Sequence, residues 1–392
     1  MVAWGNPEGG GDCAVVEGVL WNVQEIQATD KAFAAILTDG SVISWGSPDD
    51  GGDCSVVQDQ LMNVQQIQAT EGAFAAILAD ASVVAWGNRD HGGDCSAVQD
   101  QLRNVQQIQA TRFAFAAILA DGSLVAWGDP DNGGDCSAVQ DQLRNVRHIQ
   151  ATYTAFAVIL NNGSVKAWGN EVTGGDCSEV QDQLSNVHQI QANGFAFAAI
   201  LADGSVVAWG NSIFGGDCSE VQDQLMNVQQ IQATEGAFAA ILTDESVVAW
   251  GDLGDGGDCS AVQDQLRNVR HIQATYTAFA AILADGSVVA WGNPDNGGDC
   301  SAVQDQLRNV LQIRATGYAF AAILADGSVV AWGNADHGCD CSTVQDQLKN
   351  VQQIQATEGA FAAILPDGSL VACGQSESGG NCSAVQDLLV YL

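Results

Sequence analysis

Hydrophobic and polar positions follow one short pattern that starts again and again along the chain. Between Cys95 and Gly128 the pattern predicts three strands. The first covers Asn104-Val105 to Thr111, the second Ala114-Phe115 to Leu119 and the third Ser123-Leu124 to Trp127. The second and third form a hairpin through Asp121-Gly122, and seven of the nine corresponding turns place Gly where a positive φ is needed. The run Phe-Ala-Ala-Ile-Leu is apolar on both faces, as in a strand buried within a stack of sheets, and its small alanines let the next sheet approach closely. Before the first strand, Val98, Leu102, Val105 and Ile108 recur at spacings of four, three and three, and Ser96 with Gln99 could form a capping box. This segment also fits one helix. The Asn-Val-x-x-Ile-x-Ala end runs into the next strand without a Gly stop, which favours a short helical turn at Val98 to Leu102 and then a strand.

Trp-Gly pairs begin at Trp4, Trp45, Trp86, Trp127, Trp168, Trp209, Trp250, Trp291 and Trp332, and Cys373-Gly374 takes the tenth place. Every interval is 41 residues, so each unit must occupy an equivalent slot in a regular array. The predicted fold class is all-β: a β-propeller or propeller-like ring of about nine 41-residue blades, three strands each, with a short helical turn between blades. Residues 1–392 are expected to form a single tandem-repeat domain, nine full repeats and a partial one. The chain starts inside a strand at Val2-Ala3-Trp4 and reaches Leu388-Leu389-Val390-Tyr391-Leu392 where a first strand should begin. Pairing those ends would close a ring and remove exposed edges; the alternative is a piece of a longer array.

The strings DGSVVAWGN, GGDCS, VQDQLRNVQQIQAT and AFAAIL resemble the short repeats of the regulator of chromosome condensation family, over essentially the whole chain. Asp121-Gly122, Trp127-Gly128, Leu102, Val105 and Ile108 carry the resemblance. Two positions depart from it: Thr111 stands where the family has Gly, and Phe115 or its neighbours where it has His. The resemblance implies a β-propeller, and similarity to the repeat domains of HECT-type ubiquitin ligases. It implies no catalytic activity, because repeat copies account for the whole sequence and the ligase chemistry belongs to a separate domain.

Composition supports a packed core, with 47% hydrophobic and 15% charged residues. A formal charge of -35 argues against direct binding to nucleic acid or an anionic membrane surface. The start MVAWGNPEGGGDC has no basic stretch or long apolar run, so a cytoplasmic or nuclear protein without membrane insertion is expected. Ten of the twelve cysteines fall one per repeat. Equivalent positions on stacked sheets lie about 10 Å apart, too far for a disulfide, so free thiols in a reducing compartment are expected.

Chemical motifs are sparse. Gly-Gly-Asp-Cys recurs, and Cys339-Asp340-Cys341 with nearby His337 is its sharpest form, but a zinc site wants a second pair of ligands at similar spacing. Asp131-Asn132-Gly133-Gly134-Asp135 has part of a calcium-loop character, whereas Asp12, Asp53, Asp94 and their equivalents read more simply as turn caps. The five His fall in three repeat positions with no paired nucleophile. No cofactor, metal site or catalytic residue is assigned, and the chain is expected not to be an enzyme.

Two windows vary between units: the residues after Gln-Ala-Thr and those after Trp-Gly. In an up-down-up blade both lie at one rim, opposite the Asp-Gly turns. The first window offers Arg112, Phe113, Tyr153, Phe195, Tyr276 and Tyr318, and the second Arg89, His91, Ile213, Phe214, Asp295 and His337. Aromatic residues and Arg are common interface anchors, so Arg112, Phe113, Tyr153, Phe195, Tyr276, Tyr318, Arg89 and Phe214 form the candidate partner-binding set. Simple drift is the competing reading, since Tyr-Thr occurs at both Tyr153 and Tyr276, three periods apart. The expected function is a non-catalytic protein-interaction scaffold for a partner with a basic surface. The alternatives are the substrate-recruiting region of a HECT-type ubiquitin ligase and an acidic scaffold for divalent cations.

Overall fold

In the computed structural model, which describes residues 2–14, 16 and 18–383, the repeat unit folds as the strand pattern requires. The third repeat has strands Val105–Ala110, Ala114–Leu119 and Leu124–Gly128, and among the described residues nine such three-stranded sheets follow one another. These blades, with neighbouring strands hydrogen-bonded in chain order, cover 23–46, 64–87, 105–128, 146–169, 187–210, 228–251, 269–292, 310–333 and 353–374. The architecture is all-β and propeller-like. Antiparallel register places Ile108 opposite Ala117, and Phe115 opposite Trp127.

The chain packs as two compact units: the first holds chiefly 7–201, and the second chiefly 212–392 together with Val2–Asn6. The expected pairing of Leu388–Leu392 with the chain start concerns residues outside those described. Within the second unit, Trp4 Nε1 donates to the Gly379 carbonyl at 2.7 Å and the Asn6 amide to the Glu377 carbonyl at 2.9 Å.

Two local devices shape each blade. The hairpin tip is a type I turn with a glycine bulge: the Gly122 amide donates to Leu119 O at 2.9 Å with φ +78, while Asp121 Oδ1 accepts from the Ser123 amide and hydroxyl. Those two bonds hold the Asp121 carboxyl below its ordinary pKa. The first strand is preceded by an Asn at positive φ, as at Asn104 (φ +58), whose carbonyl accepts from the Ala120 amide. This left-handed residue ends the helical turn, which consists of 3-10-type bonds such as Gln101 N to Val98 O and Leu102 N to Gln99 O. No helix among the described residues is long and apolar enough to cross a membrane.

The core lies between blades. Ala73, Ala75, Ile77, Val83 and Ala85 of the second blade pack with Cys95, Leu102, Val105, Ile108, Phe115, Ala117, Val125 and Trp127 of the third repeat. The Ala114–Leu119 strand is buried at five of its six positions, since it sits at the centre of its own sheet and under its neighbour. A sheet this small cannot bury both faces alone, so stacking supplies the stability.

Tryptophan is the clasp between repeats. Trp127 stacks on Phe115 with ring centroids 5.2 Å apart and donates Nε1–H to the carbonyl of Gly92, 35 residues earlier, at 3.0 Å. Gly92 (φ +91) lies flat against Phe115, where a Cβ would come within 2.7 Å of the ring. Gly-Gly-Asp-Cys is therefore a packing motif. Asp94 Oδ1 accepts from the Ser96 amide at 2.9 Å, the buried Cys95 thiol donates to Gln99 Oε1, and Gln99 Nε2 reaches Val83 O at 3.0 Å. Burial raises the Cys95 thiol pKa, as it does at Cys136, Cys177, Cys218, Cys259 and Cys300.

One cysteine expectation is corrected. Cys341 and Cys373 form a disulfide with Cα atoms 5.3 Å apart. Stacked sheets about 10 Å apart keep cysteines at equivalent repeat positions from pairing, but this pair joins different positions. Elsewhere the repeat Cys packs in the same cluster as the clasp Trp 32 residues later, as Cys95 does with Trp127. Cys373 replaces that Trp, so two sulfur atoms meet where a thiol met an indole.

Candidate functional site

The two variable windows meet at one end of each blade. In the second repeat Thr70 links them: its Oγ1 accepts from the Ala73 amide at 3.0 Å and donates to the carbonyl of His91, at the end of the second window, at 2.9 Å. The His91 ring then meets Phe113 of the next blade edge-on at 4.9 Å. Thr111, Thr275 and Thr316 bond the corresponding carbonyls of Asn132, Asn296 and His337. The Thr that departs from the resembled family is thus the buried tie between the windows.

A backbone ladder runs through the first window with a step of one repeat. In the first unit, amide to carbonyl, Asp30 bonds Glu71 (3.0 Å), Glu71 bonds Arg112 (3.0 Å), Arg112 bonds Tyr153 (2.9 Å) and Tyr153 bonds Gly194 (3.1 Å). In the second, Glu235 bonds Tyr276, Tyr276 bonds Gly317 and Gly317 bonds Glu358, at 2.8–2.9 Å. Because only main-chain groups take part, Asp, Glu, Arg, Tyr and Gly all occupy the position. Nothing in the sequence beyond that tolerance marks the ladder.

In the first unit, three of the candidate residues form one row. Arg112 pairs with Glu71 at 3.1 Å and lies over the Tyr153 ring, its guanidinium carbon 3.3 Å from the centroid. Tyr153 in turn meets Phe195 edge-on at 5.3 Å. Thr29, Thr70, Thr111 and Thr152 lie behind this row in a shallow concavity of about 340 Å³ that Arg112 and Tyr153 also line. Burial raises the Glu71 pKa, with Asp30 adding to the effect and Arg112 opposing it. Phe113 belongs to the same edge through His91, whereas Arg89 is 84% exposed and turns toward Asp94 at 3.8 Å.

In the second unit Tyr276 and Tyr318 meet edge-on at 5.3 Å, and Tyr318 lies 4.5 Å from the His337 ring. Burial and the nearby Glu358 and Glu235 charges raise the Tyr318 pKa. Phe214 and Asp255 flank Gly236, where a Cβ would strike both side chains. Burial, reinforced by Asp252 and Glu235, pushes the Asp255 carboxyl up to about 6. This acidic group was not among the sequence candidates. Among the described residues no three His, Cys, Asp or Glu side chains converge as metal ligands.

Blades clasped by Trp-Gly and carrying their variable residues at one edge define a propeller-like repeat protein. Solved structures to which it is similar include a regulator of chromosome condensation (RCC1) protein and the ectodomains of plant receptor kinases. The chain is 17% identical to yeast RCC1 (Prp20) in its complex with Kap60, covering 78% of this chain and 81% of that one, with a TM-score of 0.41. It is 15% identical to the CRINKLY WD40 ectodomain of the Arabidopsis thaliana receptor kinase ACR4, covering 67% and 93%, with a TM-score of 0.36. For the ectodomain of the Physcomitrella patens receptor kinase CR4 the identity is 16%, the coverage 75% and 73%, and the TM-score 0.39. No family model and no curated protein matches the sequence.

Proposed function

We propose that this chain is a non-catalytic protein-interaction scaffold whose joined windows form the contact edge for a partner with a basic surface. The observation that carries the reading is the separation of constant backbone from varied side chains. Every first window is tied by a Thr or Asn side chain to its own strand, as Ala114 is to Thr111 and Ala196 to Asn193, yet the side chain that follows changes from repeat to repeat. A rigid frame with interchangeable side chains suits recognition, and aromatic residues held in edge-to-face rows give contact area at low conformational cost. The acidic net charge complements a basic partner and would steer its approach.

The reading is tested by quantitative pull-down with three full-length proteins: the parent, a Phe113→Ala, Tyr153→Ala variant, and a Ser123→Ala variant altered at the opposite end of the blade. Selective loss of a captured protein from the window variant alone is the expected result. Equal loss from the Ser123 variant, or no loss from either, would refute the assignment to this edge.

A further inference from the structure

The distribution of charge over the first strands is opposite to that of the chain. Of 12 Lys and Arg and five His, six lie on first strands: Arg147, His148, His188, Arg270, His271 and Arg314. Of 47 Asp and Glu, the first strands hold only Glu25. Most of their remaining polar positions are Gln. Packing does not demand this, because burial falls on Val105 and Ile108 and their equivalents, while the Gln, Arg and His positions between them are exposed or half-buried.

Within the first unit, the first strands of the third, fourth and fifth blades touch in succession, so equivalent side chains fall into rows. They surround a concavity of about 430 Å³ lined by Gln107, Gln109, His148, Gln150, His188 and Gln189, over a floor that includes Ile149 and Ile190. Its lining contains no carboxylate. Arg147 fixes a positive charge at the margin, donating from one guanidinium nitrogen to the Val187 carbonyl at 3.1 Å and the His188 carbonyl at 3.4 Å.

We propose that this face is a second binding site, distinct from the variable windows, that takes an extended, carboxylate-bearing peptide segment. Each Gln carboxamide presents two N–H donors and an acceptor oxygen, matching the alternating carbonyls and amides of an extended backbone. Arg147 and the two imidazoles supply the donors a Glu or Asp side chain needs. The volume lies in the range of small-ligand sites, about 300–1,000 Å³, so it admits a few residues of a strand rather than the face of a folded protein. The chain's overall negative charge opposes an acidic ligand only at long range. Near physiological ionic strength that repulsion is screened beyond about 8 Å, leaving the local groups to decide.

The test uses the full chain and fluorescence anisotropy of a labelled peptide of alternating Glu and Gln, with a Lys-Gln peptide and free glutamate as comparison probes. An Arg147→Gln, His148→Gln, His188→Gln variant removes the local donors, and Arg267→Gln, an exposed arginine that does not line the concavity, serves as the control. Tryptophan fluorescence checks that both variants remain folded. The expected result is saturable binding of the acidic peptide, weakened about tenfold or more in the triple variant and unchanged in the control; one charge-assisted contact alone accounts for about that factor. No binding to the parent, equal binding of the Lys-Gln peptide, or an unaltered triple variant would each overturn the proposal. Competition by free glutamate as strong as by unlabelled peptide would overturn its peptide part.

Discussion

Replacing Trp127 by Phe probes the clasp that couples one repeat to the next. Trp127 is 3% exposed, and its Nε1–H donates to the buried Gly92 carbonyl at 3.0 Å. Removing that donor strands the carbonyl, at a cost of about 1–3 kcal/mol. Loss of the second indole ring withdraws roughly 40 Å² of apolar contact, about 1 kcal/mol at about 25 cal/mol per Å². Part of the stacking on Phe115 survives in the Phe variant, so the total is about 2–4 kcal/mol. Since repeats are stabilised by their neighbours, the damage should concentrate between the second and third blades. Hydrogen exchange resolved by peptide is the assay: amides in 89–95 and 115–127 should exchange roughly thirtyfold faster or more, at about 1.4 kcal/mol per factor of ten. Trp21→Phe is the control, because Trp21 is 70% exposed although its Nε1 also donates to a backbone carbonyl, that of Gly18. Unchanged protection in Trp127→Phe, or equal loss in Trp21→Phe, would show that the indole bond does not couple the blades.

The hairpin tips give a paired prediction: Ala81 and Glu245 hold φ +63 and +64 where the other tips have Gly, so Ala81→Gly and Glu245→Gly should each stabilise by about 0.5–1 kcal/mol, and Gly122→Ala should destabilise, as read by denaturant melts. For Asp255, the folded pKa of about 6 lies above the unfolded value of 3.8, so the folded state holds the extra proton between those pH values and the stability this confers is lost as pH rises through 6. Asp255→Asn should therefore raise the melting temperature at pH 7.5 more than at pH 4.5, and a uniform shift at both would contradict the assignment. Cys373→Ser breaks the Cys341–Cys373 link and should speed hydrogen exchange in the last blade, 353–374, while leaving the earlier blades unchanged; spread of the effect to the first unit would count against a local staple.

Much of the fold was legible because the repeat removes ambiguity from each copy. The second strand could be read from Phe-Ala-Ala-Ile-Leu since no amphipathic helix places five apolar residues in a row, and the hairpin from Asp-Gly since the positive φ is a property of that one residue. The segment before the first strand was harder because Val98, Leu102, Val105 and Ile108 keep helical spacing across what is a turn followed by a strand. The hidden signal was Asn: Asn22, Asn63, Asn104, Asn145 and their equivalents all stand at φ between +55 and +59, a value that stops a helix as Gly would. The disulfide was missed for a different reason. Its partners are unrelated in sequence position and become neighbours only through the contact between a loop and the next blade's third strand.

The windows illustrate why sequence variation alone could not separate drift from recognition. A position whose main chain is held on both sides by the ladder, and whose side chain points away from the core, is free to vary under either reading. What differs is whether the varied side chains have come to act together. Arg112 cannot be judged apart from its neighbours, because its charge is opposed by Glu71 at 3.1 Å and its flat face is spent on Tyr153. Changing Arg112 alone would leave Glu71 half-buried and more strongly driven to protonate, whereas changing both would remove that conflict. A double-mutant cycle on Arg112 and Glu71 therefore measures the coupling directly. Coupling of about 0.5 kcal/mol or more marks the pair as one energetic unit, and additive effects would show that the two side chains act independently.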